Sequence, residues 1–204
     1  MKRFVAVGCI AALLLVAASC GASGRAPFVK DDLPRLVRDA PGTPDGVDYR
    51  TTESHVVTLA DIVAGADDAV IVTQKRRMRV LGFVRAYGRT FTSNRVATQP
   101  LYGATAVAVL FRDEPGARKG LQLLAQSERR ATATVGNNLR AVPPNGLGDG
   151  AWGFRAELLD GRLVTYGVRV RNVVLLVAMG GEDGSFVDAD ARDYARQVKE
   201  RARV

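Results

Sequence analysis

Residues 151–179, AWGFRAELLDGRLVTYGVRVRNVVLLVAM, decide the fold class, because they predict three consecutive antiparallel strands joined by two short turns. Apolar and polar residues alternate through much of this stretch, as is typical of strands that turn every second side chain toward a core. If residues 159–161 form the first loop, Trp152 lies opposite Val168 and the apolar side chains collect on one face. Burial of one face specifies a strand register strongly, so we expect this three-residue loop.

The second turn of the stretch is expected at residues 171–172. There it places Val170 opposite Val173 and Val164 opposite Met179. One face of the three strands is then almost wholly apolar and should carry the core.

The opposite face of the three strands combines glycines with arginines. Glycines leave room above a sheet, and arginine side chains attract carboxylate and phosphate groups. The sequence therefore predicts a site for an anionic small molecule or lipid, held over Leu176 by Arg155, Arg169 or Arg171. The alternative is that a loop or helix covers this face, or that its charges only keep it soluble.

The flanking sequence predicts a mixture of strands and helices. Residues 131–150, which contain two consecutive prolines, are expected to be irregular. Most links between strands are too short for the crossovers that parallel strands need. The expected architecture is a single α+β domain, with an antiparallel sheet of about 5 to 7 strands and helices packed on one face. Further strands are expected at residues 49–57, 83–92 and 103–111, and helices at 59–64, 68–81 and 114–130 and from Asp188 or Asp190 onward.

The first residues predict a secretory signal, since a basic head is followed by an apolar run and then by small residues. The run spans residues 4–18, about 22 Å as a helix, whereas the hydrocarbon core of a bilayer is about 30 Å thick. A permanent transmembrane anchor is therefore the weaker interpretation.

The end of the signal, Ala17-Ala18-Ser19-Cys20, resembles the lipobox of bacterial lipoproteins. In that family the cysteine receives a diacylglyceryl group and a peptidase cuts just before it. The resemblance implies a signal peptide over residues 1–19, a lipidated tether over 20–30 and a globular domain over 31–204. Cys20 would hold that domain at the extracytoplasmic face of the cell membrane, since two acyl chains suffice for stable anchoring. The alternative is an ordinary cleaved signal with an incidental cysteine.

Cysteine content and charge narrow the classes of protein further. Of the two cysteines, Cys9 would leave with the signal and Cys20 would carry lipid, so the domain would have no disulfide and no thiol site. Without Lys2 and Arg3 the 29 basic residues fall to 27 against 21 acidic residues, a net charge of +6. An exported basic protein is expected to meet the anionic membrane surface and no nucleic acid.

Three features that could indicate cofactor binding, metal binding or catalysis lack the surrounding sequence that such sites need. Residues 148–153 spell G-x-G-x-x-G, but they precede a strand, whereas a dinucleotide site opens a helix. Residues 188–193 are spaced like a calcium loop, yet Arg192 stands at an acidic ligand position. His55, the single histidine, has no nucleophile motif to serve. The sequence predicts no catalytic residue, metal site or cofactor.

A second resemblance covers about the last 60 residues. It rests on Gly146-Leu147-Gly148-Asp149-Gly150-Ala151 and on residues 166–174, YGVRVRNVV. This pattern is similar to that of actinobacterial exported lipoproteins and of the extracellular sensor domains of actinobacterial receptor kinases. The resemblance implies an α+β domain that binds something outside the membrane. Those sensor domains typically carry disulfides, so no ligand-binding residue is transferred from them.

The expected function is that of a membrane-anchored, non-enzymatic binding or interaction domain. A lipid or amphiphile carrier and an enzyme of unrecognised type remain alternatives, and the sequence leaves the oligomeric state open.

Overall fold

The computed structural model describes residues 26–42, 49–62, 68–93, 102–159, 161–182 and 188–204. Within them, seven strands form one antiparallel sheet in the order β1-β2-β3-β7-β6-β5-β4, and helices pack on it. The α+β class, the antiparallel pairing and the single domain are as predicted from the sequence.

The strands and helices begin close to the predicted residues. Helix α4 shows why: Asp113 precedes it and accepts a hydrogen bond from the Gly116 amide at 2.7 Å, while Pro115 lies in the first turn. The strands are β1 Tyr49–Val57, β2 Phe83–Ser93, β3 Tyr102–Phe111, β4 Asn137–Ala141, β5 Trp152–Leu158, β6 Gly161–Val170 and β7 Val173–Glu182; the helices are α1 Leu33–Leu36, α2 Leu59–Ile62, α3 Asp68–Val80, α4 Glu114–Val135 and α5 Asp188–Arg201.

The edge strand β4 was not predicted. It lies within the stretch that was expected to be irregular, and its pairing with β5 is itself broken between Asn137 and Arg140. Four of its five residues are exposed, so it lacks the apolar alternation by which strands are recognised.

The structure confirms one of the two registers predicted for strands β5, β6 and β7. Between β6 and β7, Val170 pairs with Val173 and Val164 with Met179, which confirms the second turn. Between β5 and β6, however, the predicted three-residue loop is wrong, because Leu158 pairs with Gly161.

This shift by one residue moves every side chain of β5 to the other face of the sheet. Trp152 now lies opposite Gly167 instead of Val168, and Arg155 lies opposite Val164. The choice that collected most apolar residues on one face fails because both faces of this sheet are buried.

Helices cover both faces of the sheet, which corrects the expectation of helices on one face. On one side α1 and α5 pack against the sheet, and Tyr194 of α5 and Tyr166 of β6 are almost completely buried there. On the other side α2, α3 and α4 pack against it, and Leu124 of α4 covers a cluster that includes Val174 and Leu176. The face on which a ligand was expected is therefore closed by α4.

The folded domain includes part of the predicted tether. Phe28 is 5% exposed and belongs to the core on the α5 side. The buried Asn172 accepts a hydrogen bond from the Phe28 amide at 2.8 Å and donates to the carbonyl oxygens of Phe28 and Phe111 at 3.1 and 3.0 Å. In the part of the chain that the structure describes, both core clusters are built from side chains between Phe28 and Ala202.

Candidate functional site

The three arginines predicted to hold a ligand do not share one face. The register of β5 places Arg155 on the α5 side, where it contacts Asp188, whereas Arg169 of β6 faces Glu114 of α4. Arg171 lies in the turn between β6 and β7. The structure therefore brings Arg169 and Arg171 together at one end of the sheet and leaves Arg155 elsewhere.

Arg155 is part of a half-buried ion-pair network. Its Nη1 donates to Asp188 at 3.1 Å, and its Nε lies 3.4 Å from a Glu157 carboxylate oxygen. Arg162 approaches the same two carboxylates at 3.7 and 3.9 Å. Acidic neighbours therefore already pair with Arg155. Through Arg155 and Arg162 the network connects β5 and β6 to Asp188, the first residue of α5.

Arg169 and Arg171 line a cavity of about 460 Å³ at the end of the sheet. Its wall contains four basic side chains and one carboxylate, so the ionisable groups that line it are mainly cationic. The lining residues are Glu114, Arg169, Val170, Arg171, Lys199, Ala202 and Arg203. We refer to this cavity as the cationic cavity.

Arg169 is positioned by the first residue of α4 and by the neighbouring turn. It lies 3.6 Å from the Glu114 carboxylate, and its Nη1 donates to the Arg171 carbonyl oxygen at 3.1 Å. The side chain of Arg169 is 22% exposed. One cation of the cavity is thus paired with its one carboxylate, and three further basic groups lie around that pair.

Arg171 connects the cavity to the N-terminal segment of the domain. It adopts a left-handed backbone conformation with φ of 53°, as a tight turn between antiparallel strands requires. Its guanidinium donates to the carbonyl oxygens of Ala26 and Ala202, and it stacks 3.6 Å above the centre of the Phe28 ring. We call this end of the sheet, where Ala26 enters the fold, the tether end.

Lys199 forms the buried side of the cavity. It is 5% exposed, and its Nζ donates to the Gly146 carbonyl oxygen at 3.1 Å. Burial lowers the pKa of Lys199, and the nearby Arg203 lowers it further. An anion in the cavity would oppose both effects, because a negative charge favours the protonated amine.

The cationic cavity adjoins a second cavity along α4. This second cavity, of about 410 Å³, shares Arg169 and also contains Arg118 and Asp149 in its wall. The basic surface therefore continues from the C-terminal end of α5 to the first turns of α4.

The residues considered for catalysis or metal binding lie in ordinary structural positions. His55 is on the edge strand β1, four strands from β6, and its Nδ1 lies 3.3 Å from the Glu53 carboxylate. Gly148 and Gly150 have positive φ in the turn before β5. Among the described residues, no group of three or more His, Cys, Asp or Glu side chains could hold a metal ion.

Trp152 was predicted to lie in the apolar core beside Val168. It lies instead on the α4 side, where its Nε1 donates to the Leu121 carbonyl oxygen at 3.1 Å and its indole covers Gly167. It packs against the core cluster beneath α4, which is a structural role.

Sequence reasoning missed three residues of the cavity, Glu114, Lys199 and Arg203. A usable signal was available, because α5 carries its basic residues in its last turn and beyond, and such residues lie together at one end of the domain.

Two features expected near the N-terminus are not described by the structure. Cys20 and residues 1–19 lie outside the described residues. In the part of the chain that is described, no helix has both the length and the apolar character needed to cross a membrane.

Comparison with known proteins supports the fold. No protein-family model matches the chain, and no curated protein matches it significantly. Among solved structures, the extracellular domain of PknH from Mycobacterium tuberculosis is similar, with a TM-score of 0.53 and 13% sequence identity over 88% of this chain and 99% of that domain. At this identity the likeness concerns the fold alone. It agrees with the fold implied by the resemblance to extracellular sensor domains of receptor kinases.

Proposed function

We propose that this protein is an exported binding domain, tethered by lipid on Cys20 to the extracytoplasmic face of the membrane, which holds an anionic ligand in the cationic cavity. The observation that carries the proposal is the position of the cavity. Arg171 lines it and also binds Ala26, the first described residue of the predicted tether.

The extracytoplasmic location rests on the signal-like first residues and on the fold. The chain shares its fold with a domain that is extracellular in another protein. Five residues, 21–25, separate Cys20 from Ala26, the first described residue, so the domain would stay within about 20 Å of the lipid anchor.

The chemistry of the cavity supports binding rather than catalysis. Guanidinium and ammonium groups donate hydrogen bonds to carboxylate and phosphate oxygens and carry their charge at neutral pH. The one carboxylate of the wall, on Glu114, is paired with Arg169. Such a set of side chains is suited to hold an anion.

A lipid carrier with an internal cavity is less well supported. A carrier needs an enclosed apolar space, whereas α4 and α5 each pack directly onto the sheet through fully buried side chains such as Leu124 and Val198. Native mass spectrometry of the purified protein would detect a retained lipid if this alternative were correct.

The tether is tested by substituting Cys20→Ala in the full chain and separating membrane from soluble fractions. The native protein should sediment with the membrane, and the variant should not. Retention of the variant in the membrane fraction after a high-salt wash, which releases a domain held by charge, would contradict the lipid anchor.

The cavity is tested by thermal unfolding of the chain from residue 20 onward, with Cys20→Ser, in increasing inorganic phosphate. A ligand at ten times its Kd stabilises the folded state by about 1.4 kcal/mol, which raises Tm by about 3 to 5 °C in a domain of this size. Arg203→Ala, which removes an exposed cation of the wall, should reduce this shift, and Arg169→Ala should reduce it further.

The matched control is Arg130→Ala. Arg130 is exposed near the other end of α4, about 24 Å along the helix from Glu114. An equal phosphate shift in all variants would show that any effect is due to general charge and would refute the cavity as the site.

A further inference from the structure

The tether end carries exposed apolar side chains beside basic ones. Val29 and Val84 are 58% and 39% exposed, and both line a cavity of about 480 Å³. Two basic residues, Lys30 and Arg112, and one acidic residue, Asp31, line the same cavity. Apolar side chains that enter the headgroup region, surrounded by basic groups that meet anionic lipids, are characteristic of surfaces that bind membranes.

This apolar cavity and the cationic cavity are neighbours. Phe28 lines the apolar cavity, Arg171 lines the cationic cavity, and the Arg171 guanidinium lies 3.6 Å from the centre of the Phe28 ring. One stacked pair therefore forms a common wall. The two cavities together place cationic side chains beside exposed apolar ones, which matches the order of an anionic headgroup and the acyl chains beneath it.

The attachment of the chain sets which end of the domain faces the membrane. Ala26 is bound by Arg171 at the tether end, and residues 21–25 span at most about 20 Å. A lipid on Cys20 would thus bring both cavities to the bilayer surface. The opposite end of the domain would point away, since α4 extends about 33 Å from Glu114 to Val135.

We propose that the tether end docks on an anionic phospholipid bilayer, with a headgroup phosphate in the cationic cavity and with Val29 and Val84 entering the boundary of the acyl chains. This inference rests on the proposed function, because it names the source of the anion that the cationic cavity binds. It also assigns a use to surface valines that the folded core does not need.

The test is sedimentation of the unlipidated chain, residues 20–204 with Cys20→Ser, with vesicles of phosphatidylglycerol and phosphatidylcholine or of phosphatidylcholine alone. Binding is expected to the mixed vesicles and not to the neutral ones. The double variant Val29→Ser and Val84→Ser should bind the mixed vesicles about tenfold more weakly. Val135→Ser is the matched control, since Val135 is 61% exposed at the far end of α4 and its loss should leave binding unchanged.

The possible outcomes separate this inference from the proposed function. Equal binding by the valine variant and the native sequence would overturn docking through the tether end. A chain that is stabilised by inorganic phosphate through Arg203 yet ignores anionic vesicles would bind a free anion, which overturns the inference and leaves the proposed function standing. Unchanged Tm values in the absence of ligand would show that each serine variant is folded.

Discussion

Replacing Gly167 by alanine should destabilise the domain through Trp152. A Cβ built on Gly167 would lie 2.3 Å from the Cε2 and Cζ2 atoms of that indole, whereas carbon atoms in contact are about 3.5 to 4.0 Å apart. The indole ring would have to move by roughly 1 Å or more to restore that separation. It is not free to do so, because its Nε1 donates to the Leu121 carbonyl oxygen and its ring centroid lies 5.2 Å from the ring centroid of Phe154.

The expected cost follows from three contributions. Overpacking a buried contact costs about 1 to 3 kcal/mol, and weakening the indole hydrogen bond costs about 1 kcal/mol more. Replacing glycine by alanine restricts the unfolded chain, which returns about 0.4 to 1 kcal/mol. The free energy of unfolding should therefore fall by about 1 to 3 kcal/mol, and Tm by about 3 to 10 °C.

The assay is thermal and urea unfolding, followed by circular dichroism and by the fluorescence of Trp152, the single tryptophan of the chain. Gly103→Ala is the control, because the nearest atom to its added Cβ is 4.0 Å away, and it should leave Tm unchanged or raise it. In a Trp152→Leu background the cost of Gly167→Ala should largely disappear. A Gly167→Ala variant as stable as the native protein would refute this β5–β6 register, since in the register predicted from the sequence Gly167 and Trp152 lie on opposite faces.

Two further predictions concern other buried polar groups. Burial raises the pKa of Glu128 to about 7, so the folded state binds this proton more tightly than the unfolded chain and the free energy of unfolding should fall as pH rises from about 4.5 to 7. Glu128→Gln should remove that fall, of up to about 3 kcal/mol, and raise Tm at pH 8; parallel Tm profiles from pH 4 to 8 would contradict this. Asn172→Ala should lower the free energy of unfolding by about 2 to 4 kcal/mol, because it leaves backbone groups of Phe28 and Phe111 without their partners. Hydrogen exchange at the Phe28 amide should accelerate in that variant, and unchanged protection there would show that other contacts hold this segment.

Local patterns were sufficient to predict most of the elements. Strand β1 is found at the predicted residues, and α4 begins at Glu114 as predicted, with Pro115 in its first turn. These elements depend on alternation, on caps and on proline near a helix start, all of which act within a few residues. Strand β4 has no such pattern, since it is an exposed edge that forms by pairing with β5.

The cationic cavity was predicted only in part, because it assembles residues that are distant in sequence. Arg169 and Arg171 are two residues apart and were predicted together. Glu114, Lys199 and Arg203 reach them only because α4 begins and α5 ends at the tether end of the sheet. The number of helix-covered faces could not be read from the strands either, since burial on both faces removes the polar alternation that marks an exposed face.

The error in the β5 register shows which signal should have decided it. Apolar alternation is a poor guide when both faces are buried, but glycine and aromatic residues still carry information, because a large ring needs space over the neighbouring strand. In the observed register Trp152 lies opposite Gly167 and Tyr166 opposite Gly153, so each ring covers the glycine of the other strand, on opposite faces of the sheet. In the predicted register Trp152 would instead have lain opposite Val168, and Tyr166 opposite Phe154. The dipeptides Trp152-Gly153 and Tyr166-Gly167 thus specify the pairing by complementary size, and this pairing carries Arg155 to the face of the sheet opposite Arg169.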